Sequence, residues 1–248
     1  MSKELFSKFT FGFLMAQLFP GAVAVSAVAL AIEAVNSETA TGDLMAVLCG
    51  VYDNAFGSAS RLAIYLFLAV GTGMLIHGIH WSVLAWLENR QSGEYETPIV
   101  DSFWHGKLVV VQLLLGPVKM ILELVWLLFA GGLGPLRMTE NVPRVPPSRM
   151  PNFLFLQEFY LYFAQFYAHT AWALLFCIPC LIVVFTCVGW TWMNSLYVGL
   201  AYLATSVFFL LGRVQLASLF EAENALADYT DDGENKPRAV QNGKEANR

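Results

Sequence analysis

Residues 107–136 read KLVVVQLLLGPVKMILELVWLLFAGGLGPL. As one straight helix this stretch would be about 45 Å long, enough for a hydrocarbon core of about 30 Å. Two features argue against a simple crossing. Gly116-Pro117 stands in its middle, where proline lacks a backbone N–H and its ring crowds the preceding turn. Lys119 and Glu123 also lie within it, four residues apart and so on one helix face. The stretch either crosses the membrane or enters and returns, bent at Gly116-Pro117. That choice decides whether the chain has five spans or four spans and a hairpin.

Four other apolar stretches flank it. Phe9 to Val35 carries Pro20-Gly21, which predicts a kink or a restart of its helix. Beyond the break, Ala22/Ser26 and Ala27/Ala31 are small residues spaced four apart, as close helix contact requires. A secretory signal is the competing reading, with Lys3 and Lys8 at its start and Ala22-Val23-Ala24 as its cleavage site. The apolar run continues past that site to Val35, which favours a span. Asn36 to Ser60 reads as a polar connection without Lys or Arg. A second span follows from about Arg61 to Leu87. Phe153 to about Trp190 would be roughly 55 Å of helix, longer than one crossing. Its first half is polar on one side and belongs to the cytosol or the interface. The last span runs from about Asn194 to Leu211.

Charge placement selects the topology, because cytoplasmic loops carry an excess of Lys and Arg. A full crossing by residues 107–136 would place Arg137, Arg144, Arg149 and the basic tail outside. An entering and returning segment places them inside with Lys3, Lys8, Arg90 and Lys107. Only Arg61 then faces out, and Lys119 stays within the returning piece. The expected fold is therefore an all-α polytopic membrane bundle: about four transmembrane helices plus one re-entrant or interfacial helical hairpin. Both termini are expected in the cytoplasm, with the protein in the plasma (inner) membrane.

Composition points the same way. Of 248 residues, 57% are hydrophobic and 13% charged, about half the usual globular share of charge. That balance excludes a disordered chain and an ordinary cytosolic enzyme. A net charge of -5 excludes a basic nucleic-acid-binding protein. Four scattered cysteines are too few for a disulfide scaffold.

Ionisable groups inside a membrane are costly and are functional candidates by default. Glu158, Tyr162, Gln165 and His169 recur at i, i+4, i+7 and i+11, which places them on one narrow helix stripe. The stripe could line a pore, carry protons or bind a polar ligand. The plainer alternative is a hydrogen-bonded seam that sets helix register. His77 and His80 share a face three residues apart, next to Trp81. Imidazoles on different helices can hold a metal or haem, so His77, His80 and His169 are candidate cofactor ligands, although no spacing fixes a complete set. Lys119 and Glu123 read as an ion pair steadying the hairpin, or as a gate at an unwound Gly-Pro break. Cys177 and Cys180 form a Cys-x-x-Cys within an apolar run. They suit a membrane thiol oxidase, or are simply small apolar residues flanking Pro179.

No nucleotide-binding loop, serine-hydrolase elbow or zinc-protease motif occurs, and no catalytic set is complete, so no resident cofactor is assigned and a non-enzymatic role is favoured. The bundle is expected over residues 1–212. A cytoplasmic tail is expected over 213–248, a short continuation of the last helix followed by a disordered end. The leading functional reading is a membrane subunit or effector that self-associates or binds a membrane-protein partner. A small-solute or ion channel or carrier using Glu158/His169 and Lys119/Glu123 is the first alternative. A redox protein using His77/His169 or Cys177/Cys180 is the second.

Overall fold

The computed structural model describes residues 12, 14–36, 44–89, 109–130 and 147–227, and every regular element among them is helical. A π-helical turn, Leu14–Leu18, leads into α1 (Phe19–Asn36). Then follow α2 (Leu44–Phe56), α3 (Ala59–Asn89), α4 (Val109–Ala130), α5 (Met150–Val188) and α6 (Trp192–Ala227). A single 3-10 turn, Pro147–Arg149, precedes α5. Four helical stretches are long and apolar enough to cross a membrane: Leu14–Asn36, Ala59–Val83, Leu161–Val188 and Trp192–Leu216.

Proline shapes the first of them. The expected break at Pro20-Gly21 lies instead one turn earlier, in the π-helical turn. Pro20 has no N–H to offer the carbonyl of Ala16 and its ring pushes that carbonyl aside, so the distortion falls on the preceding turn. The region expected to be a polar connection before Ser60 holds α2. Its apolar stretch buries Val47 against Ala34, Val184 and Phe185, and this contact with distant residues secures so short a helix.

Helix directions follow from the contacts. Gln17 meets Gly73 and Ser26 meets Tyr65, so α1 and α3 are antiparallel. Tyr162 lies against Gly12 and Cys177 against Val23, so α1 and α5 are parallel. Ala168 touches Gly212 and Phe185 stacks near Tyr197, so α5 and α6 are antiparallel. Their turn is closed by Gly189 at φ 108°, a conformation that suits glycine. The Asn194 side chain donates to its carbonyl at 2.9 Å. Leu114 pairs with Tyr202, Gly116 with Ser206 and Glu123 with Arg213, so α4 runs parallel to α6.

This corrects the hairpin bent at Gly116-Pro117. α4 is one continuous helix of 22 residues with Pro117 inside it. Both Gly116 and Pro117 are buried, and Gly116 lies against Ser206, so α6 supports the helix where proline weakens it. The two ends of α4 therefore lie at opposite ends of the bundle, not on one side as the hairpin required. α3, α4 and α6 all run one way, so α3 ends and α4 begins at opposite ends of the bundle, while α4 ends where α5 begins. Lys107, Arg90, Arg137 and Arg144 lie outside the described residues.

The core packs Trp172 against Ile76, Val83, Met120, Leu175 and Phe209, with Ala24, Ala171 and Ala173 giving the room. Helix α6 continues unbroken through Arg213 to Ala227, the continuation expected of the last helix, and Leu216 and Leu219 are buried. The tail beyond Ala227 lies outside the described residues.

Candidate functional site

Polar side chains of α3, α4, α5 and α6 collect at one level of the bundle, on the side of the π-helical turn. Helix α5 brings Gln165 and His169 inward, both buried, with Tyr162 half-buried one turn earlier against Gly12. This is the inward part of the expected stripe. The side chain of Glu158 lies outside the described residues.

His169 joins three helices. Its Nδ1–H donates to the carbonyl oxygen of Ala16, the acceptor that Pro20 leaves without its helical partner. That bond fixes the tautomer, so in the neutral ring Nε2 carries no proton. Its ring lies edge-on to His77 at 5.1 Å and to His80 at 5.3 Å between centroids. His77 in turn accepts at Nδ1 from the indole N–H of Trp81, at 3.1 Å. Spacing predicted that His77 and His80 share a face; only the fold could put that face against His169.

Below the histidines lies the charge cluster. Glu123, 3% exposed, receives Arg213 Nη2 on Oε2 at 2.9 Å and faces Lys119 Nζ at 3.5 Å from Oε1. Both cations lie over the Phe209 ring, the guanidinium at 5.1 Å and the ammonium at 5.8 Å. The Lys119–Glu123 pair is as expected from spacing. Arg213 was missed, because it was read as the first residue of the tail. Its one signal is an arginine at the end of an apolar run that needs a buried acid. A cavity of about 10 Å³, roughly one water in size, separates His80 from Glu123 and Arg213.

Four buried side-chain atoms among the described residues lack a hydrogen-bond partner: Gln17 Oε1, Glu123 Oε1, His169 Nε2 and Thr170 Oγ1. Two of them, Glu123 Oε1 and His169 Nε2, belong to the cluster. For Glu123 Oε1 the 3.5 Å approach of Lys119 is an ion pair too long and too poorly aimed to count as a hydrogen bond.

The cofactor candidates fare differently. Rings of His77 and His169 in edge contact leave no space for a macrocycle between them, so a haem does not fit that pair. Among the described residues, no three His, Cys, Asp or Glu are arranged to hold a metal ion. Cys177 and Cys180 are free thiols on a helix that continues through Pro179. Cys177 is buried and its Sγ lies 3.8 Å from the carbonyl oxygen of Val23.

No protein-family model, curated protein or solved structure matches the chain. The fold itself carries only this: four helices are long and apolar enough to span a membrane, as in an integral membrane protein.

Proposed function

We propose that the protein is a non-enzymatic, multi-pass membrane subunit, a locked bundle that offers its apolar flanks to a second copy or to another membrane protein. One observation carries this reading: polar side chains inside the bundle are used as ties between helices. His169 holds the Ala16 carbonyl, Tyr65 the Ala22 carbonyl and Tyr202 the Leu114 carbonyl, while Arg213 holds Glu123. Such bonds fix register between helices in a solvent that cannot drive them together. The partner-facing surface is the outer flank of α4, where Leu128 and Phe129 are 74% and 84% exposed. The orientation follows the positive-inside rule: the end of the bundle holding Arg149 and Arg213 faces the cytoplasm of the plasma (inner) membrane, with both chain termini on that side.

A carrier of protons or a small ion is the second reading. The orphaned Glu123 Oε1 beside a water-sized cavity that His80 also lines favours it, since a single water could bridge the two residues. Reconstitution separates the two. The full chain in lipid vesicles is expected to dissipate an imposed pH or potassium gradient no faster than empty vesicles, and to cross-link in the membrane to a species larger than its 27.5 kDa. A leak that His169→Gln abolishes would establish the carrier instead. A purely monomeric chain that neither leaks nor captures a membrane partner would end the subunit reading.

A further inference from the structure

The opposite end of the bundle holds a cleft unrelated to the histidine and glutamate cluster. Helices α1 and α3 touch closely at Gly21 and Gly73. Toward the other end they leave between them, under α2, a cavity of about 300 Å³. Its walls are apolar and partly exposed on the flank of the bundle, with Ile32, Ile64 and Leu68 prominent. Its mouth is polar: Glu33 from α1, Asn54 from α2 and Arg61 from the first turn of α3.

The two mouth charges are not paired with each other. Glu33 Oε2 accepts from Asn54 Nδ2 at 3.2 Å. Its Oε1 rests over Gly50, where an added Cβ would come to 2.5 Å. Arg61 spends one nitrogen, Nη1, on the carbonyl oxygen of Asp53 at 3.2 Å. The rest of the guanidinium remains for a ligand, at a helix N-terminus whose dipole favours an anion. From Arg61 to Leu68 along α3, and from Glu33 to Val25 along α1, the apolar walls descend about 10–12 Å. That is most of the depth of one leaflet, whose apolar half is about 15 Å.

A polar mouth at the level of the headgroups, with separate positive and negative groups over an apolar cleft that descends into the leaflet, is complementary to a zwitterionic lipid. We propose that this cleft binds a glycerophospholipid with a primary ammonium headgroup, its phosphate on Arg61, its ammonium on Glu33 and one acyl chain between α1 and α3. Guanidinium matches phosphate in a two-pronged geometry. A primary ammonium can donate to Glu33 Oε1, whereas a quaternary one has no N–H to give. The cleft has the size and the largely apolar lining of a ligand site.

The test uses the purified full chain in detergent, offered phosphatidylethanolamine, phosphatidylcholine and phosphatidylglycerol in equal amounts, with retained lipid measured by mass spectrometry. Phosphatidylethanolamine is expected to be retained over both others. Glu33→Gln and Arg61→Gln are each expected to lower its retention about fivefold, the loss of one partly exposed charge contact. Ala29→Phe, which fills the cleft without removing a mouth contact, is expected to lower it as well, with helical circular dichroism unchanged. Equal retention of the three lipids overturns the assignment. So does preference for the anionic lipid, or retention of phosphatidylethanolamine by the Glu33→Gln and Ala29→Phe proteins at the wild-type level.

Discussion

Glu123 answers to two cations, and its removal strands Arg213. Arg213 would be left over Phe209 without the carboxylate it now meets at 2.9 Å. Glu123→Ala is expected to destabilise the bundle by about 3 kcal/mol, measured by detergent or thermal unfolding of the purified chain. Glu123→Leu combined with Arg213→Met is expected to recover much of that loss, since it removes the stranded charge along with its partner. A double variant no more stable than the single one would show that the pair has a role beyond mutual neutralisation. The tie between His169 and Ala16 is argued at the same scale. His169→Phe leaves a buried carbonyl without a donor and is expected to cost about 2 kcal/mol. In a Pro20→Ala background the restored N–H can serve Ala16, so the same change should cost about 1 kcal/mol less. Strictly additive losses would sever Pro20 from His169. Each of these residues was visible in the sequence as a polar group in an apolar run. Their partners lie 90 and 153 residues away and no periodicity connects them.

At the scale of elements, glycine decides how closely α1 and α3 approach. A Cβ at Gly21 would overlap the Ala69 carbonyl, and one at Gly73 the Gln17 carbonyl. Neither obstacle is the end of a flexible side chain. Gly73→Ala is therefore expected to cost about 2–3 kcal/mol by forcing the helices apart. Gly71→Ala and Gly78→Ala, on the same helix with nothing near the added methyl, are expected to be neutral or mildly stabilising. A thermal unfolding series over the three variants checks the ranking. Much of this contact was legible. The small residues at Ala22 and Ser26 marked a close-packing face, and both now meet Tyr65 of α3, through a carbonyl and a hydroxyl. What misled was the local weight given to Pro-Gly pairs. Gly116-Pro117 promises a reversal when read alone, yet α6 packs against that turn and the helix passes through it.

At the scale of the whole molecule, the direction of α4 is the decisive fact. It runs with α6 and α3, not against its predecessor. The end of α4, the start of α5 and the far part of α6 therefore belong to one end, and the α5–α6 turn to the other. Single cysteines at Ser148 and Ser218, in a chain whose native cysteines are replaced, are expected to react with an impermeant thiol reagent from the same face of the membrane. Cysteines at Ser58 and Thr191 are expected to react from the opposite face. Ser148 and Thr191 labelled from one face would overturn the arrangement.

The sequence by itself marked an all-helical chain with four stretches long and apolar enough to cross a membrane. A bilayer demands about 20 apolar residues per crossing and internal hydrogen bonding of every backbone group, and both demands are written along the chain one residue after another. The sequence's charge distribution suggested that both flanks of residues 107–136 lie on one side, whereas α4 begins and ends at opposite ends of the bundle. Only the tertiary structure decided that α4 is a single helix parallel to α6. Only it brought His77 and His80 to His169, and Arg213 to Glu123. These outcomes depend on which faces meet across tens of residues of intervening chain, where the sequence's local periods of 3.6 residues carry no information.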